Sequence, residues 1–419
     1  MAGFHIKELL CGKGGTKVSL HWRLALLVWI ILGVALTIKG AFLPNRQTVF
    51  GVYQSGVNHW WLDQSVYAKY PGVDLFRYAP SSIFLLNPVV QLGPTVGPIL
   101  WSWFSILVLL LACWRMAGKL WPKESDWAIG SLVMLFCALS GLWNHQSNAI
   151  IGSFLVLGCV DIWENKFMRG ALFFTLALVL KTTVLPVILL LMVSRPWALS
   201  WRLGLLGLVA LLVPFLTRPP DIVLWQYQEW WKHLQSSHDL RWPGYRDAWY
   251  FILTLAEWIR PGSFNPLFWD CSPPPVYQYL QMGTGLGILF LVVRWAKKSM
   301  AKEEWYPRTL CLGLIWLMVF GPATELATYG LIAPMLCWVQ VKAKHNRAMV
   351  TAAFVGILFL SWRELTGQFA PYFPPIYASA PVGSALLGIW LINDSESILD
   401  QPQSKETENR IQSGKVLHQ

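Results

Sequence analysis

The sequence predicts an all-α integral membrane protein: a polytopic bundle of roughly 11–13 transmembrane helices, with an extracytoplasmic amphipathic helix in the first outer loop. Three observations carry this. Of 419 residues, 55% are hydrophobic and only 13% charged, which is outside the range of ordinary soluble domains. Nearly uncharged runs recur from end to end. Basic residues gather at alternate breaks between those runs.

The runs include residues 24–38, 99–114, 203–216, 286–293, 310–320 and 349–360. A lone helix needs about 20 apolar residues to cross the hydrocarbon core, and closely packed helices can be shorter. The positive-inside rule orients them. Lys7, Lys13, Lys17 and Arg23 precede the first run, which places the N-terminus in the cytoplasm. Arg115 and Lys119, then Lys166 and Arg169, then Arg195 and Arg202 fall on the same side. So do Arg294, Lys297, Lys298, Lys302 and Arg308, and finally Lys342, Lys344 and Arg347, which leaves the C-terminus inside as well. The net charge of +11 therefore reflects topology, and no isolated basic block points to nucleic acid.

These patterns divide the chain into a basic cytoplasmic N-terminus (1–23), one multispan domain (24–393) and a polar tail (394–419) expected to be disordered. The multispan domain lies in the cytoplasmic (inner) membrane and has outer loops at about 44–97 and 218–275. The first run ends in Lys39 without a small-residue cleavage site, so it reads as a span rather than a cleaved signal. Of seven cysteines, Cys113, Cys137, Cys159, Cys311 and Cys337 lie in apolar runs, and Cys271 lies in the second outer loop. Their spacing implies neither a disulfide framework nor a metal site. The short GKGGTK segment lacks the spacing of a phosphate-binding loop, and no cofactor is expected.

Val52, Tyr53, Val57, Trp60 and Trp61 recur at helical spacing and predict a surface helix in the first outer loop. Pro80 opens a run too short to span before Pro88 and Pro94, which reads as a half-length or re-entrant helix, or as an ordinary short span. The second outer loop carries Trp225, Trp230, Trp231, Trp242, Trp249, Trp258 and Trp269, as membrane interfaces do.

Four polar clusters fall at outer span ends. They are Asp74-Arg77-Tyr78 within VDLFRYAPSSIFLLNPVVQLGP, the NHQSN turn with Asn144, Gln146 and Asn148, Lys181 in ALVLKTTVLP, and Glu325 in FGPATELATYG. Charges at membrane depth usually face a cavity. Arg77 and Lys181 suit a lipid-linked phosphate, and inverting sugar transfer needs a carboxylate to take the acceptor proton. Asp74, Glu325 and Asp63 are the outward acids available. Tyr78, Asn144, Gln146 and Asn148 offer hydrogen bonds to sugar hydroxyls. Plainer roles stay open: ion pairing for the acids, snorkelling for Lys181 and helix capping for the asparagines.

Taken in order, TVFGVYQSGVNHWWLDQSVY, LFRYAPSSIFLLNPVVQLGPTVGPILW, NHQSNAIIGSFLVLG and ALFFTLALVLKTTVLPVILLL resemble glycosyltransferase family 87, of the polyprenol-dependent C-type superfamily. PGYRDAW, with Arg246 and Asp247, and FGPATELATYGLIAP resemble late segments of one branch. The resemblance implies a membrane glycosyltransferase acting outside the cytoplasm. Its donor would be a polyprenyl-phosphate-linked hexose, mannose or similar, and its acceptor a lipid or glycan. It places Arg77 and Lys181 near the donor phosphate. Asn144, Gln146, Asn148, Arg246 and Asp247 fall near sugar or acceptor. The sequence departs from the family in two places. The acid that precedes the Tyr of the surface helix is Val52 here, and the late turn carries Glu325 where many members have His. A catalytically silent relative that binds lipid-linked sugar therefore stays open. A lipid-sugar flippase is the third reading, although the chain shows no related halves.

Overall fold

The computed structural model describes residues 20–43, 48–120, 124–236, 245–262, 273–321, 324–342 and 371–400, with shorter pieces between 350 and 369. The expectations for the basic N-terminus before Leu20, for Trp242, Trp269 and Cys271, and for the tail beyond Asp400 lie outside the described residues. Among the described residues the protein is helical, and the one β-like contact is an isolated antiparallel bridge between Tyr245 and Glu325.

The chain enters through α1 (Leu20–Phe42) and turns into the surface helix α2 (Phe50–Trp61). One face of α2 is buried through Phe50, Val52, Tyr53, Gly56, Val57 and Trp60, which is the face its spacing predicts. The short helix α3 (Ser82–Val90) follows two residues after Pro80, runs through Pro88 rather than ending there, and leads into the long α4 (Gly93–Leu120). Three helices then run back and forth: α5 (Glu124–Trp143), α6 (Asn148–Trp163) and α7 (Phe167–Leu180). The chain breaks at Lys181 before α8 (Leu185–Met192) and α9 (Pro196–Leu212). The long connection that follows holds α10 (Pro220–Ser236) and α11 (Ala248–Ile259). Next come α12 (Pro275–Lys297), α13 (Lys302–Phe320), a 3-10 turn at Leu326–Leu331, α14 (Ala333–Lys342) and α15 (Ala380–Asp400).

Among the described residues, four stretches are long and apolar enough to cross a membrane singly: α1, Gly93–Met116 within α4, Pro196–Leu216 and α12. Five shorter apolar helices accompany them among the described residues, a length that packed bundles allow. Packing explains their brevity. Every residue of α6 is buried, between α4, α7, α13 and the 3-10 turn, so α6 faces protein rather than lipid. By contrast, the Pro196–Leu216 and α12 windows are each only 11% buried, and they turn their apolar surface outward.

The C-terminal boundary needs correction. Helix α15 continues through 394–400, a stretch the sequence assigns to the disordered tail. The reason is an ionic seam. Arg308, buried in α13, reaches Asp394 at 2.6 Å and donates to Ser395 Oγ at 3.0 Å, and Arg294 of α12 meets Glu396 at 2.7 Å. Charges that look like a solvated tail are partners for basic residues on the bundle.

At the same end of the bundle, Arg115 and Arg169 converge on Asp161, whose side chain is fully buried. At the opposite end, the α5–α6 turn, the break after α7 and the 3-10 turn before α14 lie together. Gly152 makes the last approach possible: a Cβ there would sit 2.3 Å from the Leu331 carbonyl oxygen. Its absence lets the 3-10 turn lie against α6 and brings Ala327 beside Asn148.

Candidate active site

Lys181 owes its place to the end of α7. Its backbone is extended (φ −157°, ψ 101°), and two threonines and Pro186 restart the chain as a 3-10 turn leading into α8. The helix thus stops inside the apolar layer and presents the amine sideways. Lys181 Nζ donates to Asn148 Oδ1 at 3.1 Å. Asn148 opens α6, yet it is not spent on capping. Its Nδ2 donates to Gln146 Oε1 and to the Ala327 carbonyl, the latter at 3.1 Å. Gln146 Nε2 in turn donates to Glu325 Oε2 at 3.4 Å. Glu325 and Thr328 form a reciprocal capping box, which fixes the carboxylate on its 3-10 turn. Four residues from three separate turns therefore form one hydrogen-bonded line.

Facing this line is the segment between α2 and α3. Arg77 donates to the Tyr245 hydroxyl at 3.4 Å and stands 4.0 Å from the Asp74 carboxylate. Burial works against the Arg77 charge, but the Tyr245 hydroxyl and the Asp74 and Glu325 carboxylates hold the guanidinium more firmly protonated than usual. Asp74 keeps a largely open side chain, 74% exposed, and one of its oxygens accepts from the Leu75 N–H at 2.7 Å. Tyr78 meets Tyr53 hydroxyl to hydroxyl at 3.2 Å, with the rings edge-on. Burial, above all, pushes both phenols upward, so they remain neutral hydrogen-bonding groups.

Asp74, Arg77, Tyr78, Gln146, Asn148, Lys181 and Glu325 all line one cavity of about 610 Å³. Two of its polar atoms, Arg77 Nε and Thr183 Oγ1, are buried with no hydrogen-bond partner in the protein. Unsatisfied donors beside two cations fit an anionic, oxygen-rich ligand. Among the described residues no cluster of His, Cys, Asp and Glu could hold a metal.

Four expected site residues lie elsewhere. Asp63 forms an ion pair with Arg218 at 2.7 Å and does not line the cavity. Asn144 contributes its carbonyl, which accepts from Val49 N–H at 2.9 Å, and its side chain is not on the wall. Asp247 caps α11 by accepting from Tyr250 N–H at 2.8 Å. Arg246 is buried behind the wall: its backbone N–H donates to the Thr324 carbonyl, and its own carbonyl accepts from the Tyr329 hydroxyl at 3.1 Å. The two Arg246 backbone bonds brace the turn that carries Glu325.

Sequence reasoning missed His233 of α10, Ser147, Thr182 and Thr183, all on the wall. His233 sits among the tryptophans of an interfacial helix, and only folding brings it near Arg77. Burial, then the Arg77 charge, lowers its basicity. Val52 also lines the cavity, so the position where the resemblance expects an acid does face the site, as an apolar wall.

Over 198 residues the chain is 30% identical to an alpha-(1->3)-arabinofuranosyltransferase of Corynebacterium glutamicum, a match covering 45% of this chain and 46% of that protein. The chain thus spans less than half the length of that curated relative. The profile of glycosyltransferase family 87 matches residues 76–320, a stretch that holds the polar wall from Arg77 and Tyr78 through Lys181. More than half of the chain carries the family pattern, and the protein belongs to glycosyltransferase family 87.

Proposed function

We propose that the protein transfers a sugar from a polyprenyl-phosphate donor to a lipid or glycan acceptor, on the extracytoplasmic face of the cytoplasmic membrane. The observation that carries this is the convergence of two cations, two carboxylates and a line of amides on one cavity. The positive-inside distribution supports the side, because the basic loops lie at the other end of the same helices.

In this reading Arg77 and Lys181 hold the donor phosphate and stabilise it as it leaves with the electron pair of the broken C1–O bond. Gln146, Asn148 and Tyr78 orient the sugar. The acceptor oxygen attacks the anomeric carbon from the opposite face and gives its proton to a carboxylate, inverting the centre. Asp74 suits that role better than Glu325. Its carboxylate is open, whereas Glu325 is engaged by Gln146 and by its own capping box. Glu325 then anchors the amide line that positions Lys181.

A mannose-like hexose is one reading of the donor. The arabinofuranosyltransferase relative favours a second, in which the sugar is a pentofuranose. The test uses purified protein in nanodiscs with polyprenyl-phosphate mannose or polyprenyl-phosphate arabinofuranose, and an envelope glycan and lipid extract as acceptor. Asp74→Asn should lower kcat by about 10²–10⁴-fold, as loss of a general base does. Glu325→Gln should act mainly on the donor KM. Undiminished turnover in both variants sinks the carboxylate assignment. Binding of a donor without any turnover would favour the silent relative.

A further inference from the structure

We infer that the surface around Tyr70, just outside the main cavity, is a carbohydrate subsite through which a glycan acceptor reaches Asp74; this rests on the transferase reading above. A shallow depression of about 410 Å³ lies there, lined by Lys69, Tyr70, Pro71, Gly72, Val73 and Asp74. Asp74 lines both this depression and the main cavity, so the two spaces meet at its carboxylate.

The depression is built rather than incidental. Tyr70, Pro71, Gly72 and Val73 form a β-turn closed by Val73 N–H donating to the Tyr70 carbonyl at 3.3 Å. Pro71 presets the first corner, and Gly72 supplies the positive φ of 75° at the second, the arrangement of a type II turn. The Tyr70 ring is held at two points. One face stacks on His59 of α2, with centroids 3.6 Å apart and planes within 13°. Its hydroxyl donates to the Ser65 carbonyl at 2.7 Å. His59 is itself fixed by Nδ1 contacts to the Ser55 carbonyl at 2.7 Å and the Ser55 hydroxyl at 3.1 Å.

A rigid aromatic ring is a low-entropy platform for the apolar face of a sugar ring. A neighbouring carboxylate and ammonium supply the hydrogen bonds that sugar hydroxyls need. The lining argues against a lipid acceptor at this spot. Lys69, Gly72 and Asp74 are exposed and polar or small, and apart from Val73 and Pro71 no aliphatic wall is present. Division of labour follows. The donor occupies the cationic cavity, the acceptor lies across Tyr70, and Asp74 stands between them where the acceptor proton must go.

The experiment is saturation-transfer NMR on the full protein in nanodiscs, free of sugar-based detergent. The probes are two trisaccharides, of α-linked arabinofuranose and of α-linked mannose. At least one should receive saturation on its ring C–H groups from the native protein. Tyr70→Phe keeps the ring and should bind within about twofold of native, whereas Tyr70→Leu keeps bulk without a flat face and should bind about tenfold more weakly or worse. Polyprenyl phosphate binding, measured on the same samples, should be unchanged in both, which also shows that the proteins are folded. No transfer to either trisaccharide, equal binding by the Leu variant, or equal loss in the Phe and Leu variants overturns the inference. Trisaccharide binding through Tyr70 in a protein that turns over no donor would sink the transferase reading and leave the subsite standing.

Discussion

Lys181 and Glu325 are 144 positions apart, yet two amide side chains join them: Lys181 donates to Asn148 at 3.1 Å, Asn148 to Gln146, and Gln146 to Glu325 at 3.4 Å. A cation and an anion are thus held on one wall without collapsing into a direct salt bridge. That arrangement keeps the amine available for an incoming anion.

Replacing Lys181 by Met keeps length and apolar fit but removes the charge. On the proposed reading, kcat/KM for a polyprenyl-phosphate donor should fall roughly 10- to 100-fold, the worth of one charge-assisted hydrogen bond. Thermal unfolding should move little, because an amine lost from an apolar layer relieves desolvation. Lys181→Arg should not fully match the native lysine, since a planar fork does not reproduce the compact ammonium that meets Asn148. Steady-state kinetics on the two variants decide it.

His145 supplies a pH dependence. It is buried in the α5–α6 turn with Nδ1 2.8 Å from Thr48 Oγ1, and burial, then the Lys39 charge, lowers its pKa from 6.5 to about 4. The folded protein therefore favours neutral His145, and the unfolded chain takes up the proton first. Its contribution to stability is complete above pH 6.5 and is lost as pH falls toward 4. The loss approaches about 1.4 kcal/mol per pH unit within that window. Melting temperatures of native protein and His145→Asn between pH 4 and 7 should converge as pH falls.

Gly152 holds the 3-10 turn against α6, and Gly152→Val would push on the Leu331 carbonyl. Overpacking of this kind costs about 1–3 kcal/mol. The turn it displaces carries Glu325, so donor binding should weaken along with stability. Gly204→Ala, which meets nothing within 4 Å, should change neither. Equal effects of the two substitutions would contradict the packing argument.

Arg308 is 1% exposed and bound to Glu304 at 3.0 Å and Asp394 at 2.6 Å. Arg308→Met leaves Asp394 without its buried cation, a change that typically destabilises by about 3–5 kcal/mol. Adding Asp394→Asn should recover part of that loss. Melting temperatures of the single and double variants provide the cycle.

Most of the architecture was legible because hydropathy is a local property. Alternating apolar and basic segments gave helices and loops, and Pro80 marked the start of the short α3, which runs through Pro88. The α15 extension through Asp400 was not legible, because Asp394 and Glu396 look solvated until Arg308 and Arg294 meet them. The same limit explains the site residues. Asp63 reads as an outward acid like Asp74, and nothing in its neighbours announces Arg218.

By itself, then, the sequence determined the class, the polar clusters at one set of span ends and the resemblance to a glycosyltransferase family. Each follows from composition or from short runs read in order. Tertiary structure alone decided which polar residues share a wall: Lys181, Asn148, Gln146 and Glu325 in one line, Asp74 at the junction of two cavities, and Asp63, Arg246 and Asp247 bound elsewhere. The reason is physical. Burial gives each polar group a strong need for a partner, and which partner it meets depends on helices brought together from distant parts of the chain.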